Sequence, residues 1–361
     1  MYYTTDMRQS CMVYSMSNAV DGNQVIAMRQ HTSGNLTFVK AYDTGGKGTG
    51  AKNVDPLMSQ GSIILSDDGH FLFVVNAGSN DISSFRITNS GALILADVKH
   101  CGGFFPVSLA ADYDLLYVAN RGNGSSIASN VTGYRVDVNG GLTKITSQAN
   151  PLSSRDAQPT CIVFNYESRK VAVSELNTNL ISVFTVLADG SLNGPVLNNS
   201  SGAGPFGSVF LTNEILLVTE AGENALSSYK VNRDGTLSVI SSSIPNYQAA
   251  TCWVVLSQNK RFAYTSNAGT HSISTYEIDY NGHLSVSNVI YSTRDGAGAP
   301  IDSRVCSNNL YVLNGNEGSI SVFLTDWEGR LIRTEVFRNT QLPKIGSQGL
   351  AILSMQPNYR C

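Results

Sequence analysis

The 361-residue sequence predicts an all-β fold, a seven-bladed β-propeller built from four-stranded antiparallel blades. Three observations support this prediction. A unit of short strands recurs along nearly the whole chain, tight-turn dipeptides separate its last two strands, and no segment shows a sustained helical period. Repeats of about 40 to 50 residues are typical of propeller blades.

The clearest copy of the unit runs from Thr251 to Leu284. It contains predicted strands at Cys252–Leu256, Phe262–Ser266 and Ser272–Ile278, followed by a turn at Asn281-Gly282. Asparagine or aspartate followed by glycine tolerates the positive φ of hairpin turns. A similar pair ends the third strand of four other copies, at Asn139-Gly140, Asp189-Gly190, Asp234-Gly235 and Glu328-Gly329.

One residue near the end of each second strand gives the register of the repeat. Seven copies follow one another at Asn18, Asn76, Asn120, Glu175, Glu220, Asn267 and Asn314. The spacing predicts seven blades in a single domain over residues 1–361, with no linker or second domain.

The two ends of the chain are predicted to complete one blade together. Met12 to Ser17 forms a second strand with no first strand before it, and Leu350 to Met355 forms a first strand with nothing after it. Pairing them closes the ring and removes an open sheet edge. This closure is predicted to bring Cys11 and Cys361 near each other. They could form a disulfide, or both termini could stay reduced, and the sequence leaves these alternatives open.

Composition excludes several functional classes. The net charge is −3 and no Lys/Arg run occurs, which argues against a nucleic-acid surface. No apolar stretch approaches the roughly 18 residues needed to span a membrane. We expect a monomer whose partner is a small-molecule ligand, with no cofactor and no metal site, because the cysteines and histidines show no metal-ligand spacing.

Two features favour a secreted, glycosylated protein over a cytoplasmic one. Charged residues make up only 14% of the chain, and serine, threonine, asparagine and glycine are abundant. Five Asn-X-Ser/Thr sequons occur, at Asn35, Asn123, Asn130, Asn198 and Asn199. An Asn- and Ser-rich chain also produces sequons by chance. The polar segment Met1 to Ser10 is not a signal peptide and fits either a cytosolic start or the trimmed end of a precursor.

Candidate site residues gather at one mouth of the central channel, because interblade loops and loops between second and third strands open on the same face. Asparagines at strand ends often hydrogen-bond their own loops. Glu175 and Glu220 place carboxylates where the other copies have asparagine, and we interpret this as a departure from loop capping. Two carboxylates in adjacent blades can share a proton and serve as acid and base; charge at a wet rim is the simpler alternative.

The proposed roles follow from this placement. Glu220 is the predicted general base and Glu175 its acid partner. The predicted ligand-positioning residues and apolar walls are Arg121, Asn76, Asn120, Asn267, Asn314, Gln60, His271, Phe206 and Trp253.

The chain resembles the lactonase-type seven-bladed propellers, which include a 6-phosphogluconolactonase and the carboxy-muconate lactonising enzymes. The resemblance covers essentially Met12 to Met355, through motifs such as DDGHFLFVVNAGSNDISSF, AGPFGSVF and RFAYTSNAGTHSISTY. It implies the propeller fold specifically and an activity much less so.

The catalytic motifs of that family are mostly altered here. The family's His-rich entrance aligns with 158–161, which has no histidine, and its Gly-Pro-Arg-His entrance has become Gly204-Pro205-Phe206-Gly207. The family's glutamate persists as Glu220, and its final arginine aligns with Ala268. Losing two arginines removes anchors for acidic substrates. The resemblance therefore implies a hydrolase or isomerase of a neutral lactone or cyclic substrate. The alternative is a non-catalytic, secreted propeller that binds a protein or glycan through the same face.

Overall fold

The computed structural model describes residues 10–31, 35–338 and 340–355. These residues form 29 β-strands and no helix, arranged in seven antiparallel sheets. Within these described ranges there is accordingly no helix long and apolar enough to cross a membrane. The predicted seven-bladed propeller is confirmed.

The first four blades contain the following strands. Blade 1 contains β1 (Cys11–Met16), β2 (Gln24–Gln30), β3 (Leu36–Asp43) and β29 (Gln348–Ser354). Blade 2 contains β4 (Ile63–Leu65), β5 (Phe71–Asn76), β6 (Asp81–Ile87) and β7 (Leu93–His100). Blade 3 contains β8 (Pro106–Asp112), β9 (Leu115–Asn120), β10 (Asn130–Val136), β11 (Leu142–Lys144) and the short β12 (Asn150–Pro151). Blade 4 contains β13 (Pro159–Asn165), β14 (Lys170–Glu175), β15 (Leu180–Val186) and β16 (Leu192–Asn199).

The remaining three blades repeat the same plan. Blade 5 contains β17 (Pro205–Phe210), β18 (Ile215–Glu220), β19 (Ala225–Val231) and β20 (Leu237–Pro245). Blade 6 contains β21 (Thr251–Leu256), β22 (Phe262–Asn267), β23 (Ser272–Ile278) and β24 (Leu284–Tyr291). Blade 7 contains β25 (Pro300–Cys306), β26 (Asn309–Asn314), β27 (Ser319–Thr325) and β28 (Leu331–Phe337).

The ring closes as predicted, with the last strand of the chain completing the first blade. β29 pairs antiparallel with β1, and Val13 lies opposite Ile352. The innermost strands β4, β8, β13, β17, β21, β25 and β29 contact one another around the ring and surround the channel. Because β1 and β29 pair in this way, the two ends of the chain contribute buried residues to blade 1.

A disulfide crosses this closure, but between other cysteines than predicted. Cys11 of β1 is bonded to Cys306 at the end of β25, with the two Cα atoms 7.1 Å apart. Both side chains are buried. Of the two alternatives left open by the sequence, a Cys11–Cys361 disulfide is excluded because Cys11 pairs with Cys306, and Cys361 lies outside the described residues. The sequence placed Cys11 at the closure correctly, but only the packing of blade 7 against blade 1 reveals its partner.

The hairpin turns between third and fourth strands follow the predicted chemistry. The second residue of each turn, at Gly140, Gly190, Gly235, Gly282 and Gly329, has φ between 77° and 91°. That left-handed conformation strains any residue with a side chain, so glycine is required there.

The hydrophobic core lies between adjacent blades. For example, Ala172 and Val183 of blade 4 pack with Leu216 and Tyr229 of blade 5, and all four side chains are buried. Because each blade covers the faces of its neighbours, the channel is the axis along which the seven sheets converge.

Candidate functional site

A long loop reaches into the channel mouth and blocks the channel below it. We call residues 44–62, which connect β3 to β4, the plug loop. The backbone N–H of Gln60 donates to the carbonyl of Thr160 at 2.9 Å. Its side chain donates to the carbonyl of Ser208 at 2.9 Å and accepts from the N–H of Val254 at 2.9 Å. Gln60, predicted to contact a ligand, thus joins the innermost strands of three blades.

The apolar residues predicted at the mouth hold the same loop. Trp253 is buried, and its indole N–H donates to the carbonyl of Ser59 at 3.0 Å. The Gln348 side chain donates to the same carbonyl at 3.1 Å. Phe206 packs edge-to-face against Trp253, with ring centroids 5.3 Å apart. Phe206 and Trp253 are therefore brought together, as a wall beneath the mouth and not as an exposed surface.

The strand-end asparagines form buried clamps between blades. Asn267 accepts hydrogen bonds from Asn246, in the preceding interblade loop, at 3.0 Å and from Thr251 at 2.7 Å. It also donates to Ser274 of its own third strand at 2.9 Å. One side chain thus ties the blade-to-blade loop to the blade that follows it.

The other asparagines share most of this arrangement. Asn76 accepts from Thr44 at 2.8 Å and donates to Ser83 at 2.7 Å, and Asn314 accepts from Ser292. Asn120 donates to the carbonyl of the preceding loop residue Cys101 and to Thr132. Asn18 differs, since it donates to Thr49 at 2.8 Å in the loop that follows its own blade and not in the one that precedes it. Asn76, Asn120, Asn267 and Asn314 are all fully buried.

Glu175 and Glu220 form the same clamps with carboxylates. Glu220 accepts from Ser200 of the preceding loop at 2.7 Å and from Tyr229 at 2.8 Å. Glu175 accepts from Ser153, Thr178 and Ser182. The interpretation that glutamate at this position departs from loop capping is wrong, because both carboxylates accept hydrogen bonds from hydroxyl groups of the preceding loop and of their own third strand.

The two glutamates do not form the expected pair at an open mouth. Both side chains are fully buried. The hydrogen-bond donors to Glu175 and those to Glu220 are different residues, and no hydrogen bond joins the two carboxyls in the described chain. Burial raises the pKa of Glu220, against the opposing effect of its bonds to Ser200 and Tyr229. The predicted catalytic roles of both residues remain predictions.

His271 occupies a turn position. Its φ is 57°, and the equivalent turns of other blades have Asn80, Asn179 and Asn224 in the same left-handed conformation. Its Nδ1 is buried without a hydrogen-bond partner. The described contacts of His271 do not link it to the other mouth residues.

The residue that follows each clamp lies at the same end of its blade as the clamp. These residues are mostly small or apolar: Ala77, Leu176, Ala221, Ala268 and Gly315. Leu176, Ala221 and Ala268 are partly exposed and pack against the cluster that contains Phe206 and Trp253. Blade 3 is the exception, because Arg121 takes this position.

Arg121 lies between the plug loop and the mouth. Its guanidinium carbon is 4.8 Å from the centre of the Phe105 ring, and Nη2 donates to the carbonyl of Leu57. Its Nε is buried without a partner. Burial lowers the pKa of Arg121, and the nearby carboxylates of Asp55 and Asp156 oppose that shift. Arg121 thus contacts the plug loop and keeps a buried Nε without a hydrogen-bond partner.

Asp55 of the plug loop is the acidic residue that the sequence did not single out. Burial raises the pKa of Asp55 to about 7, while Gln348, the Ser59 backbone and Arg121 act to lower it. Its Oδ1 and the Oε1 of Gln348 are buried atoms without a hydrogen-bond partner. A buried carboxyl oxygen without a hydrogen-bond donor favours the neutral, protonated form of Asp55, which agrees with the raised pKa.

Cys252 also belongs to the mouth and is partly exposed. Burial raises the pKa of its thiol, and the charge of Asp55 raises it further. A thiol held in its protonated form is a poor nucleophile. Neither Asp55 nor Cys252 carried a functional signal in the sequence, because Asp55 lies in a non-repeating loop and Cys252 occupies an ordinary strand position.

Comparison with protein families identifies the architecture further. The model of the family described as "Lactonase, 7-bladed beta-propeller" matches residues 21–149 and 105–341. The chain belongs to this lactonase family. No curated protein matches the chain by sequence.

Solved propellers resemble this lactonase-family chain over nearly its full length. A candidate 6-phosphogluconolactonase from Bacteroides fragilis is 18% identical, covers 98% of this chain and 100% of its own, and gives a TM-score of 0.74. A periplasmic gluconolactonase from Pseudomonas aeruginosa is 16% identical, covers 96% and 99%, and gives 0.73. A protein from Lactobacillus plantarum is 16% identical, covers 96% and 100%, and gives 0.76. At these identities the likeness concerns the fold.

The altered family motif around Phe206 leaves room for the side chain of Gln60 from the plug loop. Gly207 stands where the resemblance placed a histidine, and a Cβ added to Gly207 would lie 2.5 Å from Oε1 of Gln60. A side chain at 207 and the present position of Gln60 therefore exclude each other. Family membership supports a lactonase-type function in general terms, while the polar groups at this mouth differ from the motif that the resemblance placed there.

Titratable residues also meet away from the mouth. Asp67 and Asp112, in neighbouring blades, share a hydrogen bond, and burial together with this contact raises the pKa of Asp67 to about 7. A cavity of about 440 Å³ beside them is lined by Asp67, Asp68, Asp112 and Tyr113. Across the described residues, no group of three or more His, Cys, Asp or Glu side chains converges as a metal site.

Proposed function

We propose that this protein hydrolyses a neutral lactone at the channel mouth, with Asp55 as the general base and Arg121 facing the carbonyl oxygen. The observation that carries the proposal is the unsatisfied carboxyl oxygen of Asp55 beside Gln348 and Arg121. A pKa near 7 suits a group that must accept and return a proton at neutral pH. Family membership supplies the general reaction class.

The reaction follows from these groups. The Asp55 carboxylate removes a proton from a water molecule as its oxygen adds to the lactone carbonyl carbon. The negative charge that develops on the carbonyl oxygen is stabilised by the guanidinium of Arg121. The ring C–O bond then breaks, and Asp55 returns the proton to the departing alkoxide. The product is the open-chain hydroxy acid.

The proposed substrate is neutral because of what surrounds these two residues. Leu176, Ala221 and Ala268 give the mouth an apolar lining. Arg121 already faces the carboxyl of Asp55 and bonds Leu57. A phosphate or a second carboxylate on the substrate would thus find no spare cation among these residues. A γ- or δ-lactone with an alkyl substituent fits this description.

In the alternative drawn from the sequence, Glu220 is the base and Glu175 the acid. That alternative predicts that Glu220→Gln loses activity and that Asp55→Asn keeps it. In our proposal both glutamates are positioning residues that hold the interblade loops. The experiment is a hydrolysis panel of neutral, carboxylated and phosphorylated lactones with the wild type, Asp55→Asn, Arg121→Met and Glu220→Gln.

We expect Asp55→Asn to lower kcat at least about 100-fold, the lower end of the usual loss on removing a general base. Arg121→Met should lower it by about 10²-fold, as removal of an oxyanion donor does. Glu220→Gln should retain a rate within about threefold of the wild type, since its hydrogen bonds are largely preserved. A normal rate in Asp55→Asn rejects the proposal, and loss of activity in a well-folded Glu220→Gln supports the alternative.

A further inference from the structure

The channel end opposite the mouth is an apolar opening, which we call the vestibule. The innermost strands end there, and strand pairing places equivalent residues in rows around the axis. Two successive rows form the vestibule. The first consists of Ile64, Ala110, Val163, Val209, Val255, Arg304 and Ile352, and the second of Leu65, Ala111, Phe164, Phe210, Leu256, Val305 and Leu353.

Burial changes abruptly at these rows. The residues one position nearer the mouth, such as Ile162, Val254 and Ala351, are buried. In the two vestibule rows every residue except Ala110 is partly exposed. A soluble protein rarely leaves so many apolar side chains together at one opening without a use for them.

Arg304 is the single charged residue of the two rows. Its Nη1 donates to Asp302 at 2.7 Å and to the carbonyl of Ser303 at 2.7 Å. The Arg304 side chain is 24% exposed, whereas that of Asp302 is 1% exposed. Nε and Nη2 of Arg304 have no hydrogen-bond partner among the residues described. The Nη1 end of the guanidinium is therefore tied to Asp302, while the Arg304 side chain as a whole stays partly exposed.

The vestibule is separate from the mouth. Gln60 and Ser59 fill the channel between the vestibule and the mouth. Gln60 forms hydrogen bonds with Thr160, Ser208 and Val254, and the carbonyl of Ser59 accepts from Trp253. Asp302 lies beside this plug, since its Oδ2 accepts from the N–H of Gly61 and from that of Leu350, each at 3.4 Å. A ligand in one opening does not reach the other.

We propose that the vestibule binds an alkyl carboxylate, with its tail on the apolar rows and its carboxylate on Nε and Nη2 of Arg304. A guanidinium edge matches the two oxygens of a carboxylate, which favours this head group over a neutral one. The single arginine among the seven strands indicates one anionic group per ligand. The apolar rows indicate an aliphatic tail, because burying it contributes affinity roughly in proportion to its area.

The test is calorimetric titration with decanoate, with decanol as the neutral probe of equal chain length. Arg304→Met alone would leave Asp302 buried and unpaired, which destabilises proteins. The main variant is therefore Asp302→Asn with Arg304→Met, which removes both charges. Arg304→Lys is the second variant, because it retains the ion pair with Asp302 and loses only the planar fork.

We expect the wild type to bind decanoate more tightly than decanol. The double variant should weaken decanoate binding at least tenfold and leave decanol binding unchanged, and Arg304→Lys should weaken decanoate several-fold. Arg121→Met at the mouth should leave decanoate affinity unchanged. The proposal is overturned if the wild type fails to bind decanoate, if decanol binds equally well, if the double variant retains decanoate affinity, or if Arg121→Met abolishes it.

Discussion

The hydroxyl of Tyr229 donates a 2.8 Å hydrogen bond to Glu220, whose other carboxyl oxygen accepts from Ser200 of the preceding interblade loop at 2.7 Å. The third strand and the loop that enters blade 5 are thereby held by one buried side chain. Equivalent contacts recur from blade to blade. The clamp residues are thus a structural feature of the repeat that does not depend on whether the residue is asparagine or glutamate.

The clamp predicts how substitutions at Glu220 affect stability. Glu220→Gln keeps an acceptor oxygen for one of the two hydroxyls and presents an amide N–H to the other, which can rotate to accept it. The free energy of unfolding should therefore change by less than about 1 kcal/mol. Glu220→Ala leaves both hydroxyls without their acceptor and creates a cavity, and should cost about 2 to 4 kcal/mol. Denaturant unfolding of the two variants measures the difference. Equal stability of Glu220→Ala and the wild type would show that the clamp contributes nothing.

The pKa of Asp55 predicts the pH dependence of catalysis. A general base acts in its deprotonated form, so kcat/KM for a neutral lactone should rise with pH and level off above about 7. The expected slope below that value is tenfold per pH unit. A pH–rate profile that is flat between pH 5 and 8 in the wild type would contradict the assignment of Asp55.

The same pKa predicts that ionisation of Asp55, which is needed for catalysis, lowers the stability of the folded protein. Asp55 titrates at about 7 in the folded chain and at about 3.9 when unfolded, so the folded state binds more protons between these values. The contribution of Asp55 to stability is therefore fully present below about pH 4 and is lost as pH rises through about 7. Asp55→Asn should be more stable than the wild type by about 1 to 2 kcal/mol at pH 8, after allowance for partial exposure, and equal to it at pH 4.

Thermal unfolding at these two pH values checks this prediction. Asp43→Asn is the matched control, because that aspartate lies on an exposed outer strand. A stabilisation by Asp55→Asn that is the same at both pH values would mean that the charge of Asp55 is not its cause.

The Cys11–Cys306 disulfide predicts a redox dependence of stability. It joins residues 295 positions apart, so it restricts nearly the whole unfolded chain. Cys11→Ser should lower the free energy of unfolding by about 3 to 5 kcal/mol. A reductant should destabilise the wild type by a similar amount and leave Cys11→Ser unaffected. Cys101→Ala, which removes a buried cysteine that forms no disulfide, should keep the sensitivity to reductant.

Burial sorts the sequons into accessible and inaccessible asparagines. Asn35, Asn123 and Asn199 are exposed, whereas Asn130 and Asn198 are 7% and 9% exposed. The Asn198 amide donates to the carbonyl of Gly235 at 3.1 Å, and that of Asn130 to Ala128 at 2.9 Å. In a eukaryotic secretory host, glycans should be found by mass spectrometry at exposed sites such as Asn123 and Asn199. Occupancy at Asn198 with Asn199 empty would contradict this order.

The sequence by itself determined the blades, their number and the closure of the ring. These features depend on local patterns, since turn glycines such as Gly282 fix hairpins and alternating strands such as Ser272–Ile278 fix which faces are buried. The repeat then needs no long-range information, because each blade packs on its neighbours in the same way.

Only the tertiary structure decided what the mouth contains. Asp55 and Gln348 are nearly 300 positions apart, and Cys11 and Cys306 are 295 apart, and none of these residues shows its partner in the local sequence. The raised pKa of Asp55 and the burial of Glu175 and Glu220 result from desolvation by neighbours that the fold brings together. Desolvation depends on three-dimensional surroundings, so a residue pattern along the chain does not determine it.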